Sequence, residues 1–411
     1  MCISEICSQR SDLTFKYNIS ESRHGWLRLT PAYSVKLVRD ILAQYEPGLG
    51  IFDPFSGTAT TTLVASELGY TACSCDINPF LVWLGNVKLA NYSADIVKDL
   101  LTAGNVIEEN ITGIDLVSPP PISFIERWWS EKNLWYLCAI KAGIEKYTDR
   151  DHVYNLLLIA FCRLVIELSN ASFSHQSVSF KKKNDIDIQL TLWGDGEDTL
   201  KGKFMNNVCS VVDSVKYNPL SFGKVFIDDS RYLTTIQDRQ FDLVITSPPY
   251  PNRMSYIREL RPYMFWLGYL SNSTQAGKID WEAIGGTWGI ATSRLNDWCP
   301  TEKLYLTQTL QKTLKAIRTS GTKSGDVMSK YVDRYFHDMY LHFKAIYRVM
   351  KSSGKIHYII GNSKFYDTMV SAELIYGELL ELTGFRNICT NIIRKRNSKK
   401  ELFEFEVTAS K

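Results

Sequence analysis

The stretch 50-GIFDPFSGTATTTLVASELGYTACSCDINP-79 decides the fold. Gly50-Ile51-Phe52-Asp53 reads as a short buried strand, Pro54 to Thr60 as a loop, and Thr61 to Leu68 as a helix with Leu63, Val64 and Leu68 on one face. Gly69 ends that helix. Tyr70 to Ile77 follows as a second strand that delivers Asp76 at its tip, and Asn78-Pro79 opens another helix running to about Leu89. Strand, loop, helix, strand, acid, helix is the βαβ unit of a doubly wound α/β sheet. The loop is made of small residues, so backbone can approach a ligand, and the helix that follows offers free N–H groups to a carboxylate or phosphate. Asp53 at the strand tip suits an amino group. Asp76, about 20 residues on, suits the two hydroxyls of a ribose. Standing alone, the loop reads equally well as an ordinary tight βα turn.

Working outward, His24 to Tyr45 predicts a polar lead-in and a helix, with Thr30 and Pro31 as its N-cap and first residue and Val35, Leu37, Val38, Ile41 and Leu42 as its apolar stripe. Downstream the pattern changes between Ala94 and Ser221. A proline run at Val117 to Pro121 makes a linker, Phe124 to Tyr147 and His152 to Leu168 predict two long helices, and a polar stretch, Ser169 to Ser179, precedes Lys181, Lys182 and Lys183. The sheet resumes at Val225-Phe226-Ile227, which ends in Asp228-Asp229, and again at Phe241 to Thr246. A second insertion of weak periodicity, 271–323, carries Gly285-Gly286 and Trp288. Then come a long helix from Tyr331 to Met350 with Gly354 as its C-cap, a strand from Lys355 to Ile360, a helix from Glu373 to Leu382, and two strands, Asn387 to Arg394 and Leu402 to Thr408, with Lys399-Lys400 at their hairpin. The expected division is therefore 21–93 and 222–270 plus 324–411 as the two halves of one α/β domain, with 94–221 and 271–323 inserted into it.

The second chemical motif is Ser247-Pro248-Pro249-Tyr250, directly after a buried strand. Two prolines stiffen the turn and fix its carbonyls outward. A serine hydroxyl and a proline carbonyl can both accept hydrogen bonds from a planar amine, and the tyrosine can stack on the ring that carries it.

Together the two motifs resemble those of the S-adenosylmethionine-dependent amino-methyltransferases of DNA. Asp53 to Thr61 resembles the family's cofactor motif D-P-F-x-G-x-G-T, and Ser247 to Tyr250 its catalytic motif in the form typical of cytosine-N4 enzymes. Thr30-Pro31-Ala32-Tyr33 is similar to the preceding motif, which packs on the methionine end of the cofactor, and Asp76-Ile77-Asn78-Pro79 to the ribose-binding acid with its helix start. The resemblance covers Leu27 to Ala90 and Lys224 to Thr408. It implies a Rossmann-like methyltransferase sheet with a largely helical inserted target-recognition region, S-adenosyl-L-methionine as cofactor, and duplex DNA as partner beside a cognate restriction endonuclease that is not physically bound. It implies cofactor contacts from Thr30, Tyr33, Asp53, Phe55, Gly57, Thr58, Asp76, Ile77 and one of Asp228 or Asp229, with Asp228 favoured for the adenine amine because it lies nearer its strand. It implies catalysis by Ser247, Pro248, Pro249 and Tyr250, on a base that has left the duplex. Two departures stand out. The second loop glycine is Ala59, which expects a negative φ there, and the cofactor motif precedes the catalytic one, an order shared with RNA methyltransferases.

The rest of the chain bounds these readings. With 45% hydrophobic and 22% charged residues in 411, a disordered or low-complexity chain is excluded. A net charge of +3 neither names nor excludes a nucleic acid, since clustering matters more than the sum. No apolar run is long enough to cross a membrane and Met1 to Tyr17 has no secretory core. Nine scattered cysteines, including Cys73 and Cys75, read as free thiols of a reducing cytoplasm, and six histidines without ligand spacing give no metal site. Arg253, Arg258 and Arg261 read as a phosphate clamp or a solvated helix face. Lys181 to Lys183 beside His175 and Ser177 read as phosphate contacts or a solvated loop. Trp128, Trp129, Trp135 and Tyr136 read as core, and Arg394, Lys395, Arg396, Lys399 and Lys400 as a hairpin tip. Adenine-N6 or RNA methylation, a catalytically inactive nucleotide or DNA binder, and a dinucleotide dehydrogenase are the competing readings; the last leaves Ser247 to Tyr250 unexplained.

Overall fold

The computed structural model describes residues 8–29, 32–172, 179–180, 200–286, 294–396 and 401–411. Seven strands form one sheet: β1 (Gly50–Asp53), β2 (Thr71–Asp76), β3 (Gly223–Ile227), β4 (Phe241–Thr246), β5 (Met350–Gly361), β6 (Arg386–Lys395) and β7 (Phe403–Ser410). Their order is β6-β7-β5-β4-β1-β2-β3, parallel throughout except for β7, which runs antiparallel between β5 and β6. This is a doubly wound α/β sheet, as the sequence predicts.

The helices are α1 (Val35–Leu42), α2 (Thr60–Glu67), α3 (Pro79–Leu89), α4 (Ala94–Glu109), α5 (Glu131–Ile144), α6 (Asp151–Glu167), α7 (Lys203–Ser214), α8 (Tyr256–Trp266), α9 (Ser273–Glu282), α10 (Gln308–Arg318), α11 (Gly325–Val349) and α12 (Ala372–Leu382). Successive strand residues face opposite sides, and both sides are covered. Ile51, Leu243 and Ile245 pack with Val35, Val38 and Val64 of α1 and α2. Phe52 and Val244 pack with Tyr335, Phe336 and Met339 of α11 and with Leu379 of α12. That two-sided burial is why β1 and β4 read as continuous apolar runs. A third core joins α4 to α7 with α3 and α8, through Leu84, Leu137, Leu156, Phe161, Phe204 and Met264. None of the described helices is long and apolar enough to cross a membrane.

The strand order reverses between β1 and β4, a parallel pair joined through Ile51 with Leu243 and Phe52 with Val244. In open α/β sheets ligands bind beyond the strand ends at such a switch point. The loop after β1 and the loop after β4 therefore leave the same edge side by side, though 193 positions separate Asp53 from Thr246.

Several local expectations are corrected. Helix α1 starts after Ser34, whose Oγ accepts the Lys36 N–H; Thr30 and Pro31 lie outside the described residues. The helix expected over Phe124 to Tyr147 breaks at Trp129, held extended at φ −138° and ψ 142°, and Ser130 caps α5 by accepting the Asn133 N–H. Gly354 is no helix cap: α11 passes directly into β5, and Gly354 sits inside that strand, where a Cβ would come 2.6 Å from Met350 Cε. Within 271–323, where the sequence has weak periodicity, α10 buries Leu310, Leu314 and Ile317. Trp128, Trp129 and Tyr136 are core, whereas Trp135 is 42% exposed. His175, Ser177, Lys181 to Lys183, Trp288, Lys399 and Lys400 lie outside the described residues.

Candidate active site

Asp53 ends β1 fully buried and ties the two motif loops together. Its Oδ1 accepts the Phe55 N–H at 3.0 Å and the Thr246 hydroxyl at 2.6 Å, and its Oδ2 accepts the Thr61 hydroxyl at 2.7 Å. The Tyr33 hydroxyl joins the same network at Thr61 Oγ1. Burial raises the Asp53 carboxyl above its ordinary range despite these bonds. The structure thus places Asp53 behind the loop and not on a cavity wall.

The loop itself turns through two left-handed residues, Gly57 at φ +51° and Ala59 at φ +60°. The negative φ expected at Ala59 is overturned. A left-handed alanine costs roughly 1–2 kcal/mol. Its buried methyl, packed with Leu63, Val82, Leu89 and Val225, returns about 0.8 kcal/mol. From behind, the buried Lys88 ammonium donates to the Thr58 carbonyl at 3.0 Å, and burial lowers its pKa to about 7. At the tip of β2, Asp76 accepts the Gly57 N–H at 3.0 Å and the Asn78 N–H at 2.9 Å, and burial raises it to about 6.

At the end of β3 the two acids part ways. Asp228 turns into the following loop, where its oxygens accept the backbone N–H and hydroxyl of both Thr234 and Thr235. Burial alone would raise it; the bonds from Thr235 and its neighbours hold it below the usual range. Asp229 keeps 29% exposure, gripped from one side by Arg231. His342, which burial lowers to about 4 and so keeps neutral, donates from Nδ1 to the Ser230 carbonyl at 2.8 Å and accepts the Tyr358 hydroxyl at Nε2. Its ring lies 4.8 Å from that of Phe55.

Two cavities open along this edge. The first is walled by Phe55, Gly57, Asp76, Ile77, Asp229 and Leu260, and also touches Tyr33, Thr58, Asp228 and Pro249. The second is walled by Pro248, Tyr250, Lys16, Arg394, Arg396 and Glu404. Ala32, Tyr33, Ser247 and Tyr256 belong to both, so the cavities meet at Ser247. The catalytic-motif turn is braced throughout. Ser247 Oγ donates to the Ile359 carbonyl at 3.1 Å, the Pro249 carbonyl accepts the Tyr335 hydroxyl at 2.7 Å, and the Tyr250 N–H reaches the Tyr256 hydroxyl at 3.1 Å. Burial raises the Tyr250 phenol well above its ordinary value, and the Glu404 charge adds to this.

The structure thus brings together every described residue read as a contact except Asp53. Sequence reading missed the walls given by Ala283 and Ile284 of the second insertion and by Arg394, Arg396 and Glu404. One signal existed for the last: Glu404 sits between Phe403 and Phe405 in a terminal strand, an acid where only an inward partner explains burial. Of the arginines following the motif, Arg261 is half-buried with its guanidinium over the Phe265 ring, not on a solvated face.

No protein-family model matches the chain. Whole-chain relatives exist nonetheless. The chain is 21% identical over 450 residues to the type II methyltransferase M.BsoBI of Geobacillus stearothermophilus, across 96% of this chain and 85% of that protein. It is 20% identical over 421 residues to M.AvaI of Nostoc sp. PCC 7120, across 92% and 82%, and 21% identical over 400 residues to M.MvaI of Kocuria varians, across 90% and 81%. The first alignment takes in both inserted stretches. These relatives bear out the family resemblance carried by the two motifs. Among solved structures, the rRNA methyltransferase aviRa from Streptomyces viridochromogenes matches 92% of this chain and 86% of that one at 9% identity, with a TM-score of 0.28, a likeness too loose to argue from.

Proposed function

We propose that the chain is a site-specific DNA methyltransferase that moves a methyl group from S-adenosylmethionine to the exocyclic N4 amine of cytosine, protecting DNA from a cognate restriction endonuclease. The observation that carries this reading is the meeting of two cavities at Ser247. Group transfer needs donor and acceptor held in line within a few ångströms, and one shared wall supplies that.

The first cavity fits the cofactor. A Cβ at Gly57 would meet nothing closer than 3.9 Å, so backbone there is open to a ligand. The α2 N-terminus faces a carboxylate well, Asp76 takes ribose hydroxyls, and Phe55, Ile77 and Leu260 give apolar walls for a flat ring. Asp229 takes the adenine amine because it is the more exposed of the two acids: Arg231 also donates to both its oxygens, but Asp228 is buried against Thr234 and Thr235. Asp53 acts as the strut that holds the two loops in register, a different part from the amino-group contact read from its position in the sequence.

The bound cofactor supplies a methyl already activated by a sulfonium. The protein's own part is to make a poor nucleophile reactive. The Ser247 proton is committed to the Ile359 carbonyl, so the oxygen offers lone pairs to an amine N–H. The Pro248 carbonyl offers a second acceptor. Two acceptors draw the amine toward tetrahedral geometry and free its lone pair for attack, after which the displaced proton passes to water. Tyr335 fixes the turn by holding the Pro249 carbonyl. The basic second cavity receives a base that has left the duplex, at a cost of a few kcal/mol. A neutral serine hydroxyl at the first motif position supports cytosine over adenine.

The test is transfer of label from tritiated S-adenosylmethionine to unmethylated duplex DNA, followed by digestion to nucleosides. Label in N4-methylcytosine is expected. Label in N6-methyladenine sinks the base assignment, and label confined to RNA sinks the DNA reading.

A further inference from the structure

The second cavity holds an arrangement that base stacking by Tyr250 does not by itself require. The Tyr250 hydroxyl donates to Glu404 Oε1 at 2.7 Å. Glu404 is only 4% exposed, and Arg394 closes on both its oxygens, Nε to Oε2 at 2.7 Å and Nη2 to Oε1 at 3.1 Å. The Arg396 guanidinium lies 4.9 Å from the centre of the Tyr250 ring and is itself pinned by donating to the Asn362 carbonyl at 2.8 Å. Gly361 makes the room for both: a Cβ there would fall 2.8 Å from Tyr250 Cε2 and 2.3 Å from Arg396 Nη1. The hairpin that carries these groups is fixed to β5 by Asn362, whose Oδ1 accepts the Phe403 N–H.

A tyrosine on a surface turn ordinarily rotates about two side-chain torsions. Here its far end is tied to a buried ion pair and one ring face is covered by a cation, an attraction that the ring quadrupole favours.

We propose that Glu404 and Arg396, borne by the carboxyl-terminal hairpin, are positioning residues that fix the plane of Tyr250 for the displaced base. This inference rests on the reading given under Proposed function. The hydroxyl–carboxylate bond transmits the effect. A hydrogen bond to a buried charge corresponds to a loss of roughly tenfold or more in rate when it is removed from a transition-state contact.

The test compares full-length wild type, Y250F, E404A, E404Q and the double variant Y250F/E404A in tritium transfer to unmethylated duplex DNA, with cofactor affinity measured by titration. Y250F and E404A are each expected to lower kcat about tenfold while leaving cofactor Kd near wild type; Y250F keeps the folding midpoint near wild type, whereas E404A lowers it by leaving Arg394 without its buried partner. The double variant should fall no further than either single one, since both remove the same bond, and E404Q, which keeps an acceptor, should recover most of the loss. Should E404A fail to fold, Y250F and E404Q still decide the matter. A Y250F enzyme as fast as wild type overturns the inference. So do additive losses in the double variant, or a parallel fall in cofactor affinity. Transfer by wild type with any of those results sinks this inference alone; no transfer to DNA by wild type sinks the functional reading and this inference with it.

Discussion

The two cavities are built on opposite plans. The first takes groups from the tips of β2 and β3 and from the loops after β1, β2 and β3, with Asp76 holding Gly57 nineteen residues back, and is closed by Leu260 of α8 and by Ala283 and Ile284. The second is assembled from segments remote in the chain, with Tyr250 bonded to Glu404 across 154 positions. The first presents acids, the second Arg394, Arg396 and Lys16. A net charge of +3 is compatible with both faces on one molecule. The difference teaches that the first cavity centres on strand tips and the loops after them, while the second needs β7 brought beside β5 to set Glu404 against the loop after β4.

That contrast can be broken by experiment. If Ser247 belongs to the chemistry where the cavities meet, Ser247→Ala should lower turnover roughly a hundredfold and leave cofactor affinity near wild type; single-turnover label transfer alongside cofactor titration reads both. An equal fall in the two would merge the cavities into one functional unit. Asp76→Ala should do the reverse. It loses an acceptor and orphans the Gly57 and Asn78 N–H groups, so cofactor Kd should rise about tenfold with the chemical step at saturation little changed. Because burial places Asp76 at about 6, wild-type affinity should weaken as pH falls through that value, and an Asp76→Asn protein should show a flat profile there.

Lys88 sharpens the comparison on the stability side. Its folded value, about 7, lies below the ordinary 10.5. The unfolded chain therefore binds more protons between those values, so this group makes stability rise with pH from about 7 toward 10.5. Denaturant midpoints across that interval should climb in wild type and lose that slope in Lys88→Met; an unchanged slope would show that the ammonium behind the cofactor loop is not desolvated. The smallest effect belongs to Ala59→Gly. Relief of the left-handed alanine, roughly 1 kcal/mol, is offset by the lost methyl burial and by the freer unfolded chain. The net change in unfolding free energy should stay within about 1 kcal/mol. A larger loss would mean that the methyl packs the loop more tightly than its neighbours indicate.

Legibility followed the same divide. The βαβ unit and both motif loops could be placed from local pattern, because strand tips, small-residue turns and helix starts have short-range causes. What escaped depends on side-chain packing that residue type alone does not show. Ala59 reads as needing a negative φ until the pocket of Leu63, Val82, Leu89 and Val225 receives its methyl. Gly354 reads as a cap until Met350 is seen to press on it.

By itself, then, the sequence determined the α/β class, the positions of the two motif loops, and the chemistry their residue types allow, since periodicity and turn composition act over a few residues. Only the tertiary structure decided that the two cavities share Ser247, that Asp53 bonds both loops from behind, and that Glu404 and Arg396 stand against Tyr250. Those facts depend on β4 lying beside β1 and on β7 lying beside β5, and strand neighbours so distant in sequence are chosen by burial on both faces of the sheet, which no local pattern encodes.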